Sequence, residues 1–253
     1  MLMPRVMPCL LLKNGALVKT VKFKDPGYIG DPINAIRIYN EKEVDELIFL
    51  DITATVEKRE PSYKILSEIA SECFMPVTYG GAVRDVETIR KILGLGIEKV
   101  AINSYAIENP EFIRAAADKF GSSTIVVSID VRKKMFGRYE VFIHGGKKST
   151  GLDPVEFASA MEAMGAGEIL LTAIDRDGTQ EGYDLDLIKK VTEAVNIPVV
   201  ACGGAGKIDD FRLAVKEAGA SACAAGSMVV YFGRNRAVLI TFPEREKLEE
   251  VLK

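Results

Sequence analysis

The chain has one histidine, His144, and four cysteines, Cys9, Cys73, Cys202 and Cys223, with no C-x-x-C pair and no histidine beside any of them. That argues against a zinc site, and at 253 residues a disulfide framework is unnecessary, so buried thiols are expected and no metal or organic cofactor. His144 lies in Phe142-Ile-His-Gly-Gly-Lys147, which reads as a turn, so hydrolysis by a Ser-His-Asp triad is disfavoured. Long apolar runs are missing too. The stretch from Met1 to Leu12 is interrupted by Pro4, Arg5 and Pro8, too short for a spanning helix and unlike a secretory leader. A cytoplasmic protein without membrane insertion is expected. A net charge of −3 gives no reason to expect a nucleic-acid partner, while small anionic metabolites stay open.

What the chain does contain is itself, twice. Glu46-Leu-Ile-Phe-Leu-Asp51 is matched 122 positions later by Glu168-Ile-Leu-Leu-Thr-Ala173. Pro76-Val77 runs into Gly80-Gly81-Ala82, and Pro198-Val199 into Gly203-Gly204-Ala205-Gly206. Ala101-Ile-Asn-Ser104 and Ala224-Ala-Gly-Ser227 continue the pattern. A period of about half the chain means two similar halves. Within them, short β-branched runs alternate with helical periods, the first helix opened by Asp31-Pro32, a cap followed by proline. Eight such units predict an α/β fold, a (βα)8 TIM barrel forming one domain over 1–253 from half-barrels of about 1–122 and 123–253. An open doubly wound sheet would not be expected to duplicate a four-unit half with the glycine turn in the same place. The segment Arg132 to Gly151 reads as a polar hairpin inserted after the fifth strand.

In such barrels ligands meet the C-terminal ends of the strands. Asp130 ends an apolar strand there, where an aspartate either caps its loop or performs acid–base work. Asp51, Asp175 and Asp177 add acidity to the mouth. The two glycine turns, with Ser104 and Ser227 nearby, can offer N–H groups to a ligand carrying two phosphates. Lys19, Lys22 and Lys24 in the first loop either cover such an anion or are simply solvated. At the opposite end, Arg5, Glu46, Lys99 and Glu168 start strands, and their charges can pair into a ring, either structural or a gate.

The stretches Asp45-Glu-Leu-Ile-Phe-Leu-Asp-Ile-Thr-Ala54, Ile174-Asp-Arg-Asp-Gly-Thr179, Gly182-Tyr183-Asp184 and Gly203-Gly-Ala-Gly-Lys207 carry a resemblance. From Arg5 to about Met228 the chain resembles the cyclase subunit of imidazole glycerol phosphate synthase of histidine biosynthesis. The resemblance implies a barrel that docks a glutaminase on its N-terminal face and draws ammonia through its centre. It also implies an ammonia gate of Arg5, Glu46, Lys99 and Glu168, and an acid/base Asp130. A phosphorylated ligand would be held by Gly81, Ala82, Ser104, Gly178, Gly203, Gly204 and Ser227, with Lys19, Asp51, Asn103 and Asp177.

One position departs from that pattern. Ring-closing members end strand one with a second acid/base aspartate, and here Leu11 stands in its place. Leucine carries no proton, so ring closure is expected to be weak or absent. An intact gate with an incomplete catalytic pair is similar to a side branch associated with acetamidino sugars of surface polysaccharides. There the barrel hands ammonia to an ATP-dependent sugar amidotransferase. Three readings follow: an ammonia-relaying subunit for sugar amidination, a histidine-pathway cyclase working despite Leu11, or an ammonia-independent enzyme on another phosphorylated metabolite.

Overall fold

Alternation along the first strand sets the architecture. In β1 (Arg5–Lys13), Val6, Leu10 and Leu12 face the surrounding helices while Met7 and Cys9 face the opposite way, into the barrel. Both faces are buried, so the strand reads as a continuous apolar run. A computed structural model describes residues 3–233 and 235–253. The remaining barrel strands are β2 (Leu47–Asp51), β3 (Val77–Gly80), β4 (Lys99–Ile102), β5 (Ile125–Lys133), β6 (Glu168–Ala173), β7 (Val199–Cys202) and β8 (Ala222–Ala225). Each pairs in parallel with the next, and β8 pairs with β1 through Arg5 opposite Ala222, which closes the ring. Helices Pro32–Glu41, Tyr63–Glu72, Val86–Gly94, Glu111–Phe120, Pro154–Ala163, Leu185–Thr192, Ile208–Lys216 and Arg245–Leu252 alternate with the strands. The fold is the expected (βα)8 barrel.

Helix starts follow local chemistry. The Asp31 carboxylate accepts from the N–H groups of Ile33 and Asn34 at 3.0 and 3.1 Å, with Pro32 in the first turn. Asp153 repeats the device ahead of Pro154, accepting from Val155 and Glu156. Each cap is worth about 1 kcal/mol. Among the described residues, no helix is long and apolar enough to cross a membrane.

The loops hold more structure than the sequence suggests. The hairpin after β5 is present: Tyr139–Ile143 pairs antiparallel with β5 and with Lys148–Ser149, and His144 lies in its turn. The lysine-rich first loop is instead a second hairpin, Ala16–Val21 with Lys24–Gly30, which adds to the end of β1 by setting Leu11 opposite Val18. Ser104 and Ser227 each open a short helix, Ser104–Glu108 and Ser227–Val230. A third small hairpin, Tyr231–Phe232 with Ala237–Val238, follows the latter.

Candidate functional site

The strand starts bring four charges together at the N-terminal end. Arg5 donates to Glu46 Oε2 at 2.5 Å and also to Glu168, while Lys99 Nζ lies 3.1 Å from Glu46 and 3.0 Å from Glu168. Thr78 Oγ1 donates to Glu46 at 2.8 Å. Burial works against the Arg5 charge, but Glu168 and Glu46 together hold its pKa above the ordinary arginine value. The acids keep only 4% and 7% of their side chains exposed, against 32% for Arg5 and 19% for Lys99, so the cations form the outer side of the ring. Inward of the ring the barrel is mostly apolar, lined by Met7, Ile48, Ala101, Val126, Leu170, Val200, Ala222 and Ala224, with Ser128 level with Leu170 and Cys9 nearer the mouth.

At the C-terminal ends of the strands this interior opens into a cavity of about 920 Å³. It gathers Leu11, Lys19, Asp51, Asn103, Asp130 and Asp177 with the turn residues Gly81, Ala82, Gly178, Gly203 and Gly204 and with Ser104 and Ser227. Gly203 and Gly204 have φ of 88° and 122°. A Cβ on them would stand 2.7 Å from Ala173 O and 2.1 Å from Gly182 O, so only glycine lets this turn approach its neighbours. In the other turn, Gly81 has φ 138°, and a Cβ there would meet Asp51 Cβ at 2.8 Å. Ala82 takes the left-handed region at φ 53°, and its N–H is held by Thr55 Oγ1 at 3.0 Å.

The four aspartates take different roles. Asp51 caps its own loop: the N–H groups of Thr53 and Ala54 donate to Oδ1, and Arg59 Nη2 lies 2.7 Å from each oxygen. Asp175 does not line the cavity and accepts from the Lys133 N–H at 2.8 Å, so it belongs to the β5 hairpin rather than to the mouth. Asp177 is buried and accepts from Lys19 Nζ at 2.7 Å and Thr20 Oγ1 at 2.8 Å. Lys19 is therefore a buried strand residue with a neutralised charge, whereas Lys22 and Lys24 are exposed. Asp130 receives one side-chain hydrogen bond, from Asn103 Nδ2 at 3.2 Å. Burial, reinforced by the charge of Asp177, pushes its pKa up to about 7. A carboxyl group with that pKa can exchange a proton near neutrality, which is what a general acid or base requires. Leu11 brings only methyl groups to the same cavity, on a strand where Leu50 is its neighbour.

Several residues at or beside the mouth carry no local signal. Arg59, behind the cavity wall, is found only through its contact with Asp51, eight residues earlier. His144 Nε2 lies 3.2 Å from Glu108 Oε1, and both line the cavity because the β5 hairpin folds over the short helix at Ser104.

The model of the family described as "Histidine biosynthesis protein" matches residues 5–235. A Pseudomonas aeruginosa protein, provisionally named imidazole glycerol phosphate synthase subunit hisF2, is 52% identical over 97% of this chain and 98% of its own length. A similarly named subunit HisF of Leptospira interrogans is 47% identical over 98% of both chains. A hisF3 protein of Vibrio vulnificus is 44% identical over 100% of this chain and 97% of its own. The duplicated glycine turns, the charged base and these matches lead to one conclusion: the chain belongs to the histidine biosynthesis protein family.

Proposed function

We propose that this chain is the barrel subunit of a glutamine amidotransferase complex: it receives ammonia from a glutaminase at its N-terminal face and passes it through the barrel. A partner amidotransferase then uses the ammonia to convert an N-acetyl group of a surface-polysaccharide sugar to an acetamidino group. The carrying observation is the contrast between the two ends. The base keeps a complete four-charge ring, while Leu11 lines the mouth at the position where the family resemblance implies a second proton-transferring group. The apolar interior fits the cargo, because neutral ammonia crosses it without the desolvation cost of several kcal/mol that an ion meets.

A second reading is a histidine-pathway cyclase acting on a bisphosphate, with Asp130 working alone. It is supported by the proton-transfer range of Asp130 and by the names of the relatives.

The test is to mix the chain with its glutaminase, measure binding, and compare the ammonia delivered to an acceptor with that lost to bulk solution. Micromolar or tighter binding with ammonia retained is expected, and no binding overturns both readings. Lys99→Ala is the informative gate variant. Loss of Glu46 would empty a buried acid position and leave Arg5 and Lys99 sharing Glu168 alone, whereas Lys99 keeps 19% of its side chain exposed. Lys99→Ala is expected to change the delivered fraction with the fold retained by circular dichroism, and an unchanged fraction would reduce the ring to a structural clasp.

A further inference from the structure

We infer that Arg236 is the anion-binding cation of the cradle formed by Gly178, Gly203, Gly204 and Ser227. The inference rests on the reading that these turns hold phosphate. Arg236 comes from outside the barrel, in the small hairpin after the Ser227 helix, where its N–H bonds Gly233 O at 3.1 Å and its φ is 52°. From there the guanidinium reaches back: Nη2 donates to Gly178 O at 2.5 Å and lies 3.3 Å from Ser227 Oγ. The ring of Tyr231 packs under it, 5.0 Å from the guanidinium carbon.

Charge balance makes this placement informative. Lys19 is the other cation beside the cradle, since a Cβ on Gly226 would come within 2.8 Å of Lys19 Cε, but its charge is matched by Asp177 at 2.7 Å. Among the described residues, no carboxylate lies within ion-pair distance of Arg236. Its partners are a carbonyl and a hydroxyl, and its Nε–H is buried with no acceptor among the described residues. Partly buried guanidinium groups are ordinarily paired, and a planar fork with unused donors matches two oxygens of a phosphate. The glycine turn supplies shape and N–H groups, and Arg236 supplies the charge.

The experiment is a titration of the full chain with inorganic phosphate, followed through backbone amide shifts in nuclear magnetic resonance. Gly203, Gly204 and Ser227 report one cradle, and Gly81, Ala82 and Ser104 report the other as an internal control. Arg236→Ala is expected to weaken phosphate at the first cradle by about tenfold or more and to leave the second unchanged, with Arg236→Lys in between. Unchanged affinity in Arg236→Ala overturns the inference alone. Tighter binding overturns it too, showing that the guanidinium blocks the cradle. If the unaltered chain responds at neither cradle, the phosphate reading itself fails and the inference with it.

Discussion

Given the bisphosphate substrate of the histidine pathway and a saturating ammonium salt, the purified chain is expected to show little or no ring closure, and Leu11→Asp is expected to gain it. Ammonium removes the need for a glutaminase, so the assay isolates chemistry at the mouth. A positioned acid or base contributes about 10²–10⁴ in rate, or about 3–5 kcal/mol of transition-state stabilisation. Leu11 cannot donate or accept a proton, yet it shares a cavity with Asp130, whose pKa of about 7 suits one half of a proton-transferring pair. The variant restores the other half. Because residue 11 borders the cavity, an aspartate there has an open side, and a thermal melt serves as the folding control. Normal turnover by the unaltered chain would establish the histidine-pathway reading and show that Asp130 suffices. Inactivity of the chain together with gain in the variant would mean that the scaffold is kept while its ammonia serves another enzyme.

The parts of this molecule legible in its sequence are those fixed by near neighbours. Apolar strands running into glycine turns, and the Asp31-Pro32 cap, are written in adjacent residues, and they locate the barrel, its mouth and its charged base. What escapes local reading depends on contacts between distant positions. Val18-Lys-Thr-Val-Lys-Phe-Lys24 looks like a solvated loop because its lysines alternate with apolar residues, but Asp177, 158 positions later, neutralises Lys19 and lets the segment bury as a strand. Arg236 reaches Ser227 only because the hairpin of Tyr231–Phe232 with Ala237–Val238 turns the chain back toward the Ser227 helix. The functions of Asp51 and Asp130 are indistinguishable as sequence, since both end apolar runs, although β5 continues past Asp130 to Lys133. They separate once the donors around each are known, several for Asp51 and one for Asp130.

That difference predicts a pH-dependent penalty that Asp130→Asn removes. In the unfolded chain an aspartate loses its proton near pH 4. In the folded barrel Asp130 keeps its proton until about pH 7, first because its half-buried carboxyl group is poorly solvated and then because Asp177 is charged. Across that window the native state binds more protons than the unfolded one, so the slope of unfolding free energy with pH is negative. The favourable contribution is complete below about pH 4, falls by about 1.4 kcal/mol per unit, and is gone above about pH 7, a total of about 4 kcal/mol. Asparagine keeps the shape and can still accept from Asn103, but it has no charge to bury. Urea unfolding of both proteins from pH 4 to pH 8 is therefore expected to give curves that diverge, with Asp130→Asn gaining stability relative to the unaltered chain as pH rises. Parallel curves would mean that Asp130 ionises like an exposed carboxylate and is not held for proton transfer. Divergence would identify a group kept against the interest of stability. On the proposed reading, such a carboxyl group sharing a cavity with Leu11 is one half of an acid–base pair, and the stability curves measure what keeping it costs.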